Sequence, residues 1–282
     1  MTVDVANVIY RHLFQIRNPD GSPYTNPDGV KTGHLIGLCN QASILYDCGV
    51  LPAFIFDGEM PPLKEETMRR RKARSRRPEF VIDDEMCLQM KHALDLLGIP
   101  WVQAPEEAEA QASYMTEHGF WAVVTNDYDS LLFGARSTVR SISKDGAEVV
   151  HLDSSLQHLE LDRRALVDMG ILIGTDYTPG GIRGFGPKRS LALARRCGSL
   201  DEMLDEIGVE PDVRARFKEA EEYYLNPPVE GDCDCRWESP DEEGAHDYLI
   251  SEMKMGEQDV VRVIGNIEAL IPDGGTLQTT LD

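Results

Sequence analysis

Positive charge is scarce in this chain of 282 residues, and so are cysteine and long apolar runs. Lys and Arg total 28 against 49 Asp and Glu, a formal charge of −21. That deficit excludes a generally basic coat for nucleic acid and a cationic membrane-surface protein. No apolar stretch approaches the ~18 residues of a spanning helix, so no membrane is expected as a partner. The N-terminus, Met1-Thr2-Val3-Asp4, has neither a basic nor an apolar leader segment, and no signal peptide is read there. Six cysteines are too few for a disulfide scaffold. Cys39, Cys48, Cys87 and Cys197 fall in apolar helical patterns and read as small core residues. Cys233 and Cys235 form a Cys-x-Cys pair without the spacing or the second pair of a zinc site. The expected compartment is therefore a reducing cytoplasm. The length fits one large domain, or one domain with a helical extension, and is enough to bury a core without staples.

The few cations are concentrated. Arg69-Arg70-Arg71-Lys72-Ala73-Arg74-Ser75-Arg76-Arg77 holds seven of the 28, and the remainder of the chain nets −28. Arg outnumbers Lys 20 to 8. High acidity with little Lys reads as adaptation to a salty cytoplasm, where net charge keeps a protein soluble.

Along the chain, short apolar runs alternate with helical patterns. Strands are expected at 3–6, 51–56, 101–102 and 121–125, and helices at 7–17, 33–49, 64–77, 83–97 and 106–118, with turn-rich loops over 18–29. That alternation implies an α/β fold: a mostly parallel central sheet covered by helices. After Gly134 the pattern changes. A hairpin is expected over 138–152, then only helices, at 162–173, 187–196, 199–207, 211–224, 240–254 and 257–270. The division is 1–134, 135–271 and a polar, flexible tail at 272–282.

Ligands of α/β sheets collect at the carboxyl ends of strands, and here those ends carry acids. Asp4 lies at the first strand, Asp57 closes the second, and Asp127 and Asp129 follow the fourth. Glu106, Glu107 and Glu109 begin the helix after the third, and Asp176 follows a later helix. In an extended segment residues i and i+2 share a side, so Asp127 and Asp129 can share an ion. Crowded carboxylates raise one another's pKa, and a bound dication restores their ionised form. An all-oxygen set favours Mg²⁺ or Mn²⁺ over zinc. Two such ions ~4 Å apart suit in-line phosphoryl displacement. Singly, each acid has a plainer reading: a turn at Asp57, a dipole-favoured helix start at Glu106 to Glu109, an Asx turn at Asp127 or Asp129, and a helix-end turn at Asp176. The metal reading rests on their joint placement.

Five ordered motifs resemble the flap endonuclease family, its archaeal and eukaryotic branch most. They are Val3-Asp4-Val5-Ala6 with Ile9-Tyr10, Ile55-Phe56-Asp57-Gly58, Ala104-Pro105-Glu106-Glu107-Ala108-Glu109-Ala110, Thr125 to Gly134 around Asn126-Asp127-Tyr128-Asp129, and Gly174-Thr175-Asp176-Tyr177 with Gly181 to Lys188. The resemblance implies a PIN-like nuclease fold with a helical arch at about 60–80 and a helix-two-turn-helix at about 174–197. It also implies a metal-dependent, structure-specific 5′ nuclease of replication and repair, cutting branched DNA where a 5′ single-stranded flap leaves a duplex. One ion would be held by Asp4, Asp57 and Glu109 with Glu107 nearby, the other by Glu109, Asp127 and Asp129, with Asp176 acting through water. On a helix Glu106 and Glu109 would share a face and Glu107 would not; the family pattern selects Glu107, with a first turn that is not fully helical. Tyr10 matches a ring that stacks on an unpaired nucleotide, a contact worth ~1–3 kcal/mol. Lys64 and Arg71, two helical turns apart, match the family's basic pair over the scissile phosphate, flanked by Arg69 and Arg70 as DNA contacts. Gly184, Gly186, Lys188 and Arg189 match the loop that grips one duplex strand, where the family often holds K⁺.

Departures from the family pattern bear on function. Three residues precede Asp4, and the segment between Asp57 and Glu107 is short, so the cap over the arch reads as reduced. Gln278-Thr279-Thr280-Leu281-Asp282 begins like a sliding-clamp motif and stops before its aromatic pair, which leaves clamp binding open. A monomer is expected. The alternatives are a 5′→3′ exonuclease or junction resolvase of the same family, or a junction-binding protein without catalysis.

Overall fold

The computed structural model describes residues 1–74, 82–143, 145–272 and 274–280. Six strands form the main sheet: β1 (Thr2–Asp4), β2 (Ala53–Phe56), β3 (Trp101–Gln103), β4 (Val123–Val124), β5 (Ser137–Ser143) and β6 (Gly146–His151). β1, β2 and β4 are buried along their whole length, as parallel strands covered on both faces must be. The order is β3-β2-β1-β4-β5-β6, and all neighbours are parallel except the β5–β6 hairpin. The chain therefore builds outward from β1 through β2 and β3, then crosses to β4. The reversal between β1 and β4 is the switch point at which such sheets bind ligands.

Helices cover the sheet and extend it. α1 (Val5–Gln15) starts directly after β1 because Asp4 is its N-cap, its Oδ1 accepting from the Asn7 N–H at 3.1 Å. The first strand thus ends at Asp4 rather than at residue 6. α2 (Gly33–Asp47), α4 (Asp84–Leu96) and α13 (Glu257–Glu268) pack with the sheet into one apolar core. A second core joins α6 (Asp129–Leu132), α8 (Arg163–Ile173), α9 (Pro187–Ala194), α10 (Leu200–Ile207) and α11 (Pro211–Leu225). α5 (Ala108–Glu117) is the seam: Ala108 and Ala112 belong to the first core and Ala110 to the second. Small side chains there let both cores approach one helix.

Several expectations are corrected. The second half is not purely helical. β7 (Asp234–Glu238) pairs antiparallel with β8 (Thr276–Thr280), so 276–280 of the expected flexible tail is a strand. Cys235 and Trp237 point into the core from β7, and the Trp237 Nε1–H donates to the Pro52 carbonyl at 2.7 Å. Cys233 and Cys235 are therefore buried core residues, while Cys48 is exposed and Cys87 and Cys197 are only half-buried. A further helix, α7 (Leu152–Leu159), follows β6. The single helix expected over 240–254 divides into α12 (Glu242–Ala245) and a π-helical stretch, His246–Glu252. Among the described residues no helix is long and apolar enough to cross a membrane.

Candidate active site at the carboxyl edge of the sheet

The backbone after β2 brings two of the acids together. Asp57 leaves β2, and its Oδ1 accepts from the Ala108 N–H at 2.9 Å, capping α5. The 104–106 loop runs along this strand end: Gly58 N–H donates to the Glu106 carbonyl at 2.6 Å and Glu59 N–H to that of Pro105 at 3.0 Å. A Cβ on residue 58 would lie 2.2 Å from the Ala104 oxygen, so this approach requires glycine. Because the loop is paired there, α5 begins at Ala108 and not at residue 106. Glu107 is its extended N-cap and Glu109 lies in the first turn. The helical-face objection to pairing Glu107 with Glu109 therefore lapses. Glu106 turns elsewhere, accepting from the Tyr223 hydroxyl at 2.7 Å.

Across the switch point, Asp129 opens α6, and its N–H donates to Asp127 Oδ1 at 3.2 Å. The segment is a turn entering a helix, not the extended segment expected. Glu109 Oε1 accepts from the Ser130 N–H at 2.9 Å, fixing α5 against α6. Asn7 Oδ1 accepts from the Asn126 N–H at 2.9 Å, which ties α1 to the same loop.

Asp176 sits between α8 and α9, facing the cluster from the other core. Its carbonyl accepts from the Thr67 hydroxyl. Its carboxylate meets Arg71 at 2.6 Å and Lys64 at 3.6 Å. Lys64 lies in a 3₁₀ turn, Pro62–Lys64, ahead of α3 (Glu65–Arg74), and its Nζ is 2.6 and 2.9 Å from the two oxygens of Glu107. Arg70 donates to the Pro179 carbonyl at 2.7 Å, and Arg69 is exposed. The first part of the expected arch is thus docked on the 174–181 loop. The rest of it, with Arg76 and Arg77 of the basic run, lies outside the described residues.

The remaining candidates are distributed. Tyr10 is half-buried on α1. Gly184 and Gly186 precede α9, and Lys188 and Arg189 are exposed on its first turn, the Arg189 guanidinium 3.9 Å from the centre of the Phe185 ring. Gln278, first residue of the clamp-like motif, lies in β8 and donates to Asp234 Oδ1 at 2.8 Å; Leu281 and Asp282 lie outside the described residues.

The electrostatics are those of crowded acids. Asp4 is pushed up to about 7 by burial and then by the charges of Asp57 and Glu107. Asp129 is pushed up to about 7 by burial and then by Asp127. Glu109 is raised by burial and by Asp127 and Asp129. Asp57 is exposed by surface area but crowded on its inner side, and desolvation there raises it. Burial works against the charge on Lys64, yet Glu107 and Asp176 outweigh it and raise its pKa. Burial raises Glu107 in spite of Lys64. The two shifts pull the pair towards different protonation states; the 2.6 Å contact favours the charged pair.

Seven oxygen donors in such surroundings fit hard divalent cations, which would stabilise the ionised carboxylates. The Lys64 ammonium already occupies part of that demand for positive charge at Glu107 and Asp176. Among the described residues no three of the side chains are spaced as a finished metal cage.

Sequence reading missed Thr67, Asn7, Tyr223 and Tyr224. Tyr224 donates to Asp129 Oδ2 at 2.6 Å from 95 residues away. The adjacent tyrosines closing α11 are the only signal the sequence offers for them.

The chain matches the XPG N-terminal domain over residues 1–78 and the XPG I-region over residues 98–176. It is 36% identical to flap endonuclease 1 of Methanopyrus kandleri, covering 100% of this chain and 92% of that protein. Flap endonuclease-1 from Methanococcus jannaschii superposes with a TM-score of 0.74 at 30% identity, over 96% of this chain and 91% of that one. The catalytic core of Rad2 in complex with DNA substrate gives a TM-score of 0.74 at 25% identity, over 95% and 92%. With both XPG regions matched in order and identity above one third along its whole length, the chain belongs to the flap endonuclease 1 family.

Proposed function

We propose that the protein is a divalent-metal-dependent, structure-specific 5′ nuclease that incises DNA where a 5′ single-stranded flap leaves a duplex. The observation that carries this reading is the joint placement of the acids. Asp4, Asp57 and Glu107, after β1, β2 and β3, crowd one another, as do Glu109, Asp127 and Asp129 beside β4, and Asp176 carries Lys64 and Arg71 next to them.

Asp4, Asp57, Glu107 and Glu109 would hold one ion, and Glu109, Asp127, Asp129 and Asp176 a second, Mg²⁺ with Mn²⁺ as a substitute. Bound there, the ions supply neutralising charge for the phosphate and a more acidic attacking water. The chain's own groups do the rest. Lys64, kept protonated by its acid neighbours, and Arg71 move from Asp176 and Glu107 to the scissile phosphate and stabilise charge developing on its oxygens. Tyr10 stacks on the nucleotide beside the cut, and α3 with Arg69 and Arg70 carries the single strand. Gly184, Gly186, Lys188 and Arg189 hold the duplex strand, with K⁺ at that loop.

A cleavage panel on end-labelled DNA tests this: flap, nicked, gapped and four-way substrates, with and without divalent metal. Incision of the flap substrate near its junction is expected, abolished by chelation. Asp127→Asn and Asp176→Asn should each slow it by at least about a hundredfold with binding retained, because each removes a charged oxygen that would hold the second ion. Preference for nicked or four-way DNA would reassign the protein to the exonuclease or resolvase alternative, and binding without cleavage in either metal would remove catalysis altogether.

A further inference from the structure

α11 belongs to the second core, and its last turn reaches the acid cluster at Asp129, the first residue of α6. Tyr224 is fully buried. Its ring packs against Phe133 and Tyr177, with centroids 4.8 and 5.0 Å away. Its hydroxyl donates to Asp129 Oδ2 at 2.6 Å. The backbone is held at the same place. The Arg163 guanidinium donates to the Leu132 carbonyl at the end of α6, at 3.2 Å, and to the Tyr224 carbonyl at 2.8 Å. The end of α11 is therefore fastened to α6 by two independent links, one of which terminates on an acid of the cluster. A phenylalanine would fill the same aromatic pocket, so packing alone does not account for the hydroxyl. A buried hydroxyl needs a partner, and its partner here is a carboxylate.

We infer that Tyr224 is a positioning residue for Asp129: its phenol holds Oδ2 in place and leaves Oδ1 as the oxygen offered to a divalent ion. The inference rests on the metal reading of the cluster given above. It also assigns α11 a role as the strut through which the helical half sets the geometry of the sheet-edge acids. Tyr223, whose hydroxyl goes to Glu106, serves the neighbouring loop instead.

The test is direct Mn²⁺ binding by the full-length protein without DNA, followed by electron paramagnetic resonance of the free ion. The proteins compared are the parent, Tyr224→Phe, Tyr223→Phe, Asp129→Asn and the Tyr224→Phe/Asp129→Asn double variant. Groups that orient a metal ligand are worth about 10–100-fold in affinity. Tyr224→Phe is expected to weaken one Mn²⁺ site by at least about tenfold with an unchanged melting temperature, and Tyr223→Phe to leave it alone. In the Asp129→Asn background, Tyr224→Phe should add nothing. Flap cleavage by Tyr224→Phe should shift to higher Mn²⁺ and recover its rate at saturation. Parent-like Mn²⁺ affinity in Tyr224→Phe overturns the inference. So does an equal loss in Tyr223→Phe, or a loss that persists undiminished without Asp129. If Asp129→Asn itself binds Mn²⁺ like the parent, the metal reading at Asp129 falls and takes the inference with it; if only Tyr224→Phe is silent, the metal reading stands.

Discussion

At the scale of single residues, the protein sorts its buried acids by whether a cation is left for them. Asp168, on α8, is buried, and its Oδ1 has no hydrogen-bond partner among the described residues. The nearby cations are taken: Arg164 and Lys218 pair with Glu221 at 2.7 and 2.5 Å. Burial, then the charge of Glu221, pushes Asp168 up to about 7. A group whose folded pKa is raised binds more protons in the folded state, so stability falls as pH climbs from about 4 through about 7. Asp168→Asn should remove that slope, on the order of 2–4 kcal/mol across the window. Urea unfolding at pH 5 and pH 8 would measure it: the variant's advantage over the parent should already exist at pH 5 and grow towards pH 8. An undiminished slope would place the titration elsewhere. Asp4, Asp57, Asp127 and Asp129 were legible in the sequence as candidates because each stands at or just after a strand, whereas Asp176, between α8 and α9, has no such neighbour. Tyr224, Asn7 and Thr67 were not legible, because what they do depends on which distant loop they meet, and no local pattern encodes that.

At the scale of elements, the entry to α5 decides where the acids stand. Gly58 lets the 104–106 loop lie against the end of β2, and this delays the helix until Ala108 and frees Glu107 from it. Gly58→Ala would drive a Cβ into the Ala104 and Pro105 carbonyls, at 2.2 and 2.3 Å. The loop must then move, carrying Asp57 and Glu107 apart. A stability loss of about 1–3 kcal/mol is expected from the forced shift, with flap cleavage reduced by at least about a hundredfold. Urea midpoints and single-turnover rates would check both. Parent-like cleavage would mean that the loop yields without disturbing the acids. Helix boundaries of this kind escape sequence reading because Pro105 followed by three glutamates in four positions looks like an ordinary helix start. β8 escaped for another reason. Thr276–Thr280 has one apolar residue, and its register against β7 exists only once Cys235 and Trp237 have turned into the core. β2 and β4 were legible because burial on both faces leaves them as unbroken apolar runs.

At the scale of the whole molecule, the surplus of 49 acids over 28 bases sets a condition on stability. Many of the bases are spent locally: Arg196 on Glu206, Arg214 on Asp201 and Asp205, Arg262 on Asp259. Exposed contact pairs of this kind are worth about 0–1 kcal/mol each. Repulsion among the excess carboxylates acts over longer distances and sums over the entire surface. Salt separates the two effects, since the Debye length falls from about 10 Å at 0.1 M to about 3 Å at 1 M. Screening at 3 Å removes the long-range repulsion almost completely, while pairs in contact keep part of their attraction. The balance therefore favours the folded state, and the melting temperature should rise by several degrees between 0.1 and 2 M KCl. A fall would show that contact pairs, not surplus charge, dominate. The same screening weakens the counterion-release drive for DNA, so under the proposed function binding in molar salt would lean on metals, stacking and the few basic groups of α3 and α9. Flap cleavage in 1 M KCl should then persist in the parent, and it should be more sensitive to loss of Lys64 or Arg71 there than at 0.1 M, where the long-range attraction of the remaining cations still contributes.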